Sequence, residues 1–247
     1  MMTIAIIGYG KMGKEVERIC GERKTISVKE IFTEVNNFRR IGLSATALKD
    51  IDVCIDFSTP TSVMRHIEAA IECGKNIVVG TTGWYDALPK VKKMVEKGKI
   101  GFLYSPNFSL GMNIFFQMLT SAGHYFDKYD MYDVAIQEIH HHGKSDSPSG
   151  TALALGEILI QHIRSKKEML VDAAHKKIEP SQLHITSTRL GHVAGTHRIM
   201  FDSAADTIEL VHTAKDRSGF ALGALVAAEW LKGKKGMFTM KDVLSSS

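Results

Sequence analysis

At 247 residues the chain can build one large domain or two small ones, with ample apolar material for a core. Its 44% hydrophobic and 23% charged residues are ordinary for a globular protein, and a net charge of +4 excludes the strongly basic balance of a nucleic-acid binder while suiting a small anionic substrate. No apolar run is long enough to span a bilayer, and the short run Ile4–Ile7 leads straight into glycines, so neither a membrane partner nor a signal peptide is expected and a cytoplasmic location follows.

Up to about Pro106 the sequence alternates between strand-like and helix-like stretches. Thr3 to Ile7 is a β-branched run, after which Met12, Val16, Ile19 and Cys20 recur at helical spacing. A second strand-like run holds Ile26, Val28, Ile31 and Phe32, and a third is Val53 to Phe57. Val63, Ile67, Ala70 and Ile71 again fit a helix, and Ile77 to Val79 and Phe102 to Tyr104 read as strands. This alternation predicts a parallel sheet covered on both faces. Beyond it the pattern changes. Asn113 to Tyr125 predicts a helix, Asp133 to Ile139 a strand and Ser149 to Ile163 a helix. Three strand-like runs follow, Leu183 to Arg189, His197 to Asp202 and Thr207 to His212, and clustered strands predict a mixed or antiparallel sheet in a separate unit. An Ala- and Leu-rich helix, Phe220 to Leu231, comes last, and Ser245 to Ser247 reads as a frayed tail. The expected class is therefore α/β: a Rossmann-type parallel-sheet domain plus a second α+β domain.

The first strand runs into Gly8-Tyr9-Gly10-Lys11-Met12-Gly13 and then a helix, which is a dinucleotide fingerprint in its proper context. Gly8 allows the tight turn, Gly10 lets the backbone approach a pyrophosphate, and Gly13 lets the helix pack on the strand. Free amides at the helix start then hold the anion. The acidic residue expected about 20 residues later is ambiguous. Glu30, Thr33 and Glu34 lie near the second strand end, where an acid would favour the ribose hydroxyls of NAD, whereas Arg39 and Arg40 slightly beyond could meet the 2′-phosphate of NADP or be plain loop charges.

Three further segments fall at carboxyl ends of strands, where ligands of open α/β sheets bind. They are Asp56-Phe57-Ser58-Thr59-Pro60, Gly80-Thr81-Thr82-Gly83 and Ser105-Pro106-Asn107-Phe108-Ser109. Small and hydroxyl residues leave room for a flat ring and supply hydrogen bonds, although turns use the same residues. Three in series after a fingerprint loop point to a nicotinamide site.

The segment Glu138-Ile139-His140-His141-His142-Gly143-Lys144-Ser145-Asp146-Ser147-Pro148-Ser149-Gly150-Thr151-Ala152 is the most unusual. Histidine donates a proton near neutral pH, lysine is a point charge suited to a carboxylate, and the helix start at Ser149-Gly150-Thr151 offers amides to an anion. A plain helix cap is the competing reading. Metal is not expected from the three histidines, because adjacent strand residues point to opposite faces and no cysteine lies nearby. The three cysteines, Cys20, Cys54 and Cys73, form no CxxC pair and read as buried thiols of a reducing compartment.

This segment resembles the signature E-x-H-H-x-x-K-x-D-A-P-S-G-T-A of the dihydrodipicolinate reductases, also called 4-hydroxy-tetrahydrodipicolinate reductases, with only Ser147 departing from it. The resemblance extends over the fingerprint loop, Val53 to Ser58, Val78 to Gly83, Pro106 to Asn113, Arg189 to His197 and Gly236 to Leu244. The glycine loop is one residue shorter than the family's usual GxxGxxG. The resemblance implies reduction of a cyclic dicarboxylate to tetrahydrodipicolinate in the diaminopimelate route to lysine, with NADH, NADPH or both as cofactor. It places the dinucleotide at Gly8, Gly10, Lys11, Met12, Gly13, Thr33, Phe57 and Ser58, and the nicotinamide against Gly80, Thr81, Thr82, Ser105, Pro106 and Phe108. It implies His140 as general acid, Lys144 as the carboxylate partner that assists protonation, and His141, Gly150 and Thr151 as further substrate contacts. Asp146, Arg189 and His197 stay open between ion-pair and site roles. The resemblance also implies that the last helix returns to the first domain, giving residues 1–106 and 219–247 to the dinucleotide and 107–218 to substrate and assembly, and that the protein is a homotetramer.

Two other functions remain to be separated from this one. A nucleotide-sensing protein would keep the glycine loop without catalysis, and an aspartate-semialdehyde type of dehydrogenase would need a nucleophilic cysteine, whereas Cys54 and Cys73 fall in a predicted strand and helix.

Overall fold

The computed structural model describes residues 1–36, 42–171 and 173–245, so Arg39 and Arg40 and the last two serines lie outside the described residues. The chain divides into two compact units, Met1–Asn113 with Arg217–Ser247, and Ile114–Asp216.

In the first unit the elements are β1 (Met2–Ile7), α1 (Lys11–Gly21), β2 (Ile26–Phe32), β3 (Val53–Asp56), α2 (Val63–Glu72), β4 (Asn76–Val79), α3 (Leu88–Gly98) and β5 (Gly101–Tyr104), joined late in the chain by α6 (Ser218–Leu231), β11 (Gly236–Phe238) and α7 (Met240–Ser245). The strands form one six-stranded sheet in the order β11-β5-β4-β3-β1-β2, and every pair in it is parallel. Such a sheet is buried on both faces, which is why β1 and β3 read as continuous apolar runs rather than alternating ones. On one face Ile4, Ile6, Ile55 and Val78 pack with Val16 and Cys20 of α1 and with Ala224, Leu225 and Ala228 of α6. On the other, Ala5, Ile7, Cys54 and Val79 meet Val63 and Ile67 of α2 and Val91 and Val95 of α3. The helix α3 was not anticipated, although Val91 and Val95 stand four apart and Pro89 opens its first turn, both of them helix signals.

The division between units falls inside α4 (Leu110–Phe126). The second unit contains β6 (Asp133–His140), α5 (Gly150–His162), β7 (Glu168–Val171), β8 (Gln182–Arg189), β9 (Gly195–Asp202) and β10 (Thr207–Ala214). Its five strands run in the order β10-β9-β6-β8-β7. Pairings β6–β8 and β7–β8 are parallel, whereas β6–β9 and β9–β10 are antiparallel, so the sheet is mixed as expected. The short edge strand β7 carried no clear alternation. It is tied down by Lys166, whose buried ammonium donates to the carbonyls of Pro180 and Gln182 at 3.0 and 2.8 Å and pairs with Asp133.

Candidate active site

At the fingerprint loop, β1 ends in Gly8, whose φ of +89° is open to glycine and costly for other residues. A Cβ on Gly8 would strike the Phe57 carbonyl at 2.4 Å, and one on Gly13 would strike the Gly8 carbonyl at 2.1 Å, so these two glycines let β1, β3 and α1 converge. Gly10 differs. Nothing lies within 4 Å of the position its Cβ would take, and as N-cap of α1 it leaves the first helical amides without a side-chain cap. This is an open, donor-rich helix start, which fits a pyrophosphate.

A cleft of about 820 Å³ opens here, and Gly8, Gly10, Thr33, Phe57 and Ser58 of the expected cofactor residues line it. Glu34 lines it too, as do Lys14, Arg65 and His66, which no sequence motif marks. Lys11 is exposed at the first position of α1, and Met12 packs against the core.

The next strand ends are stitched together by a buried carboxylate. Asp56, at the end of β3, accepts from Thr81 Oγ1 at 2.6 Å, from the Ser58 amide and hydroxyl at 3.0 and 2.8 Å, and stands 2.7 Å from His66 Nδ1. Thr81 Oγ1 in turn receives the Ser58 amide at 2.8 Å. His66 reaches both Asp56 and Ser58 through the same nitrogen, so the group orders a loop and is no nucleophilic triad. Phe57 meets Phe108 edge-on at 6.0 Å, while the Ser105 hydroxyl donates to the Asn107 carbonyl at 2.7 Å. Gly80 and Thr81 begin the loop after β4, with Thr82 exposed beside them, and Pro106 is exposed after β5.

In the second unit, alternation along β6 buries Val134, Ile136, Glu138 and His140 on one face. Register then decides the neighbours: β8 sets Arg189 beside His140, and β9 sets His197 opposite Glu138. The fully buried Glu138 carboxylate accepts the Ser149 amide at 3.0 Å, the Ser149 hydroxyl, and the Arg189 guanidinium at 3.0 Å. Burial alone would raise Glu138, but the Ser149 and Arg189 hydrogen bonds outweigh it and hold the carboxyl below its usual value.

His140 Nδ1 stands 3.3 Å from Glu138 Oε2, sealed from solvent but off the hydrogen-bonding line. Burial pushes His140 down from its ordinary value, and the Glu138 charge opposes that push. His197 packs edge-on to His140 at 5.2 Å and places Nε2 3.2 Å from the Ser149 hydroxyl. Burial, with His140 nearby, drives His197 down to about 4.

Beyond β6 the three adjacent histidines part company: His140 is buried, His141 half-buried, and His142 exposed with Nδ1 2.9 Å from the Gly191 carbonyl. Glu138, His140 and His197 do bring ligand-type atoms within 4.8 Å of one another. Both Glu138 oxygens are already engaged, however, and the Arg189 cation on the same carboxylate opposes a second one.

Lys144 pairs with Asp146 at 2.7 Å, an interaction that lowers the Asp146 carboxyl. Ser149 caps α5 by accepting the Ala152 amide at 3.2 Å, and Gly150 and Thr151 form the first turn. Asp146, Arg189 and His197, left open by sequence, all belong to this network.

Burial raises the thiols of Cys20, Cys54 and Cys73, Cys54 to about 12, so none offers the thiolate of a semialdehyde dehydrogenase.

A parallel sheet with a glycine-loop helix start, carried in one chain with a second unit that holds a buried histidine and a lysine, defines a nicotinamide-dependent oxidoreductase. Two sequence models of one family match, "Dihydrodipicolinate reductase, N-terminus" over residues 2–108 and "Dihydrodipicolinate reductase, C-terminus" over residues 111–244. The chain belongs to the dihydrodipicolinate reductase family. It is 40% identical over 244 residues to the 4-hydroxy-tetrahydrodipicolinate reductase of Christiangramia forsetii, covering 99% of this chain and 98% of that one. It is 34% identical to the enzyme of the same name from Archaeoglobus fulgidus, covering 98% and 100%. The fold matches a solved dipicolinate-bound dihydrodipicolinate reductase from a Paenisporosarcina species with a TM-score of 0.79 at 23% identity, over 98% of this chain and 99% of that one.

Proposed function

We infer that the protein reduces 4-hydroxy-tetrahydrodipicolinate to tetrahydrodipicolinate with NADH or NADPH and a proton, the 4-hydroxyl leaving as water, in the diaminopimelate route to lysine. Full-length identity to reductases of that name supports the reaction, and the dipicolinate held by the Paenisporosarcina protein supports a cyclic dicarboxylate substrate. When bound, the nicotinamide supplies a hydride to a conjugated carbon–nitrogen system.

The chain's own residues do the rest. The amides after Gly10 hold the pyrophosphate. Asp56 fixes Ser58 and Thr81 at the strand ends, beside Gly80, Thr82, Ser105, Pro106 and Phe108. His140 gives the proton from Nε2, since Nδ1 is sealed off. Lys144 holds one substrate carboxylate, and His141, Gly150 and Thr151 at the start of α5 meet the other. The incoming carboxylates also favour the protonated form of His140, which burial otherwise disfavours. The observation that carries this reading is the presence in one unit of a buried histidine, a lysine and the helix start of α5. Residues 1–106 and 219–247 serve the dinucleotide, 107–218 serve substrate and assembly, and the working form is a cytoplasmic homotetramer that needs no metal.

The test is steady-state kinetics with pyridine-2,6-dicarboxylate as a competitive inhibitor. His140→Gln should lower kcat by about 100-fold or more with a modest change in KM. Near wild-type turnover in that variant would remove His140 from the mechanism. Dissociation constants for NADH and NADPH, measured side by side, settle the cofactor preference. Light scattering that returned a monomer mass would refute the tetramer.

A further inference from the structure

We propose that Glu138 is a positioning residue for the reaction, its buried carboxylate joining the proton donor His140 to the helix start that takes the substrate. This rests on the reading of His140 as that donor.

Three observations carry it. First, Glu138 is a fully buried carboxylate with Arg189 on one oxygen and the Ser149 hydroxyl on the other. A buried charge is costly, and a purely structural strand residue at this position would be apolar like Val134 and Ile136 on the same face. Second, the oxygen that meets Ser149 also faces the sealed Nδ1 of His140 at 3.3 Å. An anion this close to Nδ1 favours the tautomer with the proton there and leaves Nε2 to work. Third, Ser149 is the cap of α5. The same carboxylate therefore sets where Gly150 and Thr151 begin. A shift of substrate at that helix start reaches His140 through one side chain.

The charge has a consequence for protonation. Facing His140 are Glu138 on its own strand, Lys144 and Asp146 in the loop beyond, Arg189 from β8 and His197 from β9, with His212 of β10 behind His197. Lys144 and Arg189 disfavour the imidazolium, and Glu138 is the buried anion that favours it. His197, driven down to about 4, adds no competing positive charge near neutral pH. Removing the Glu138 charge while keeping its shape must therefore make His140 harder to protonate.

The experiment is the pH profile of kcat/KM for the full-length enzyme with NADPH or NADH, comparing wild type, Glu138→Gln, Glu138→Asp and His140→Gln. The alkaline limb reports loss of the donor's proton. Glu138→Gln should lower kcat/KM by about tenfold or more near neutral pH, move the alkaline limb down by about one pH unit, and recover on acidification. Its kcat should fall more than its KM rises. Glu138→Asp, which keeps the charge, should hold the limb near that of wild type. A Glu138→Gln profile matching wild type, or one depressed by the same factor at every pH, overturns the proposal. Should that variant fail to fold, Arg189→Gln supplies the opposite sign. Loss of the cation sharing the carboxylate should move the limb up, and a limb that stays or moves down overturns the proposal equally. His140→Gln keeps the two ideas apart. Retained turnover there sinks the donor assignment itself, whereas loss of turnover with an unmoved Glu138→Gln limb sinks only the role of Glu138.

Discussion

The backbone of Gly195 runs against the imidazole of His140: a Cβ on Gly195 would stand 2.8 Å from Nε2. Gly195 also holds φ at +157°, which side chains rarely adopt. The imidazole of His140, the proposed proton donor, thus has the Glu138 carboxylate 3.3 Å from one nitrogen and bare backbone near the other. Gly195→Ala should displace the ring and lower kcat between about 10- and 100-fold, with cofactor affinity intact. Wild-type turnover in this variant would show that the ring tolerates movement.

The three fingerprint glycines should separate by experiment. Gly10→Val should fold normally and weaken NADH and NADPH binding, because its side chain enters open space needed by the pyrophosphate. Gly13→Ala should instead destabilise the protein by about 3 kcal/mol or more, since its Cβ would press on the Gly8 carbonyl. Thermal unfolding and cofactor titration on both variants check this. Equal stability of the two, or unchanged dissociation constants for Gly10→Val, would contradict it.

Asp146 holds the lysine that the substrate carboxylate would need. On the proposed reading of Lys144, its pairing at 2.7 Å is exchanged for a pairing with substrate. Asp146→Asn removes the competing charge and should lower both KM and the inhibition constant of pyridine-2,6-dicarboxylate. A rise in both would mean that Asp146 holds Lys144 in its working position instead.

His197 makes the fold acid-sensitive. Its value is about 4 in the folded chain against 6.5 for a free histidine. Below the free value the unfolded chain takes a proton that the folded chain refuses, so stability is full above about pH 6.5 and falls toward about pH 4. The amount at stake is of order 3 kcal/mol. Denaturant midpoints measured over that window should decline in the wild type and decline less steeply in His197→Gln, where the lowered His140 and His212 remain. A wild-type curve as flat as the variant's would contradict this.

Much of this molecule is local in sequence and was legible there. The parallel sheet shows in its continuous apolar strands, the glycine loop in its spacing, and the segment from Glu138 to Ala152 in its unusual composition. The second sheet's mixed character followed from clustered strands, but its strand order did not. What sequence could not give is contact made by register. His197 lies beside Glu138 only because β9 pairs antiparallel with β6, and Arg189 meets it only because β8 pairs parallel on the other side. Likewise His66 sits in the apolar stretch read as a helix, and nothing nearby announces that Asp56, ten positions earlier, will claim it. The β7 strand is short and lies at an edge, where alternation is weakest.

The late return of α6 to the first sheet has a consequence in time. The face formed by Ile4, Ile6, Ile55 and Val78 is covered in part by Ala224, Leu225 and Ala228, which a ribosome adds only after the whole second unit. At about 5–20 residues per second, that face waits several seconds for its lid. A chain released before Ser218 would carry every strand from β1 to β5 and still expose an apolar sheet face to its neighbours. Premature termination that removes the last eighth of the chain should therefore yield aggregates rather than a smaller working enzyme.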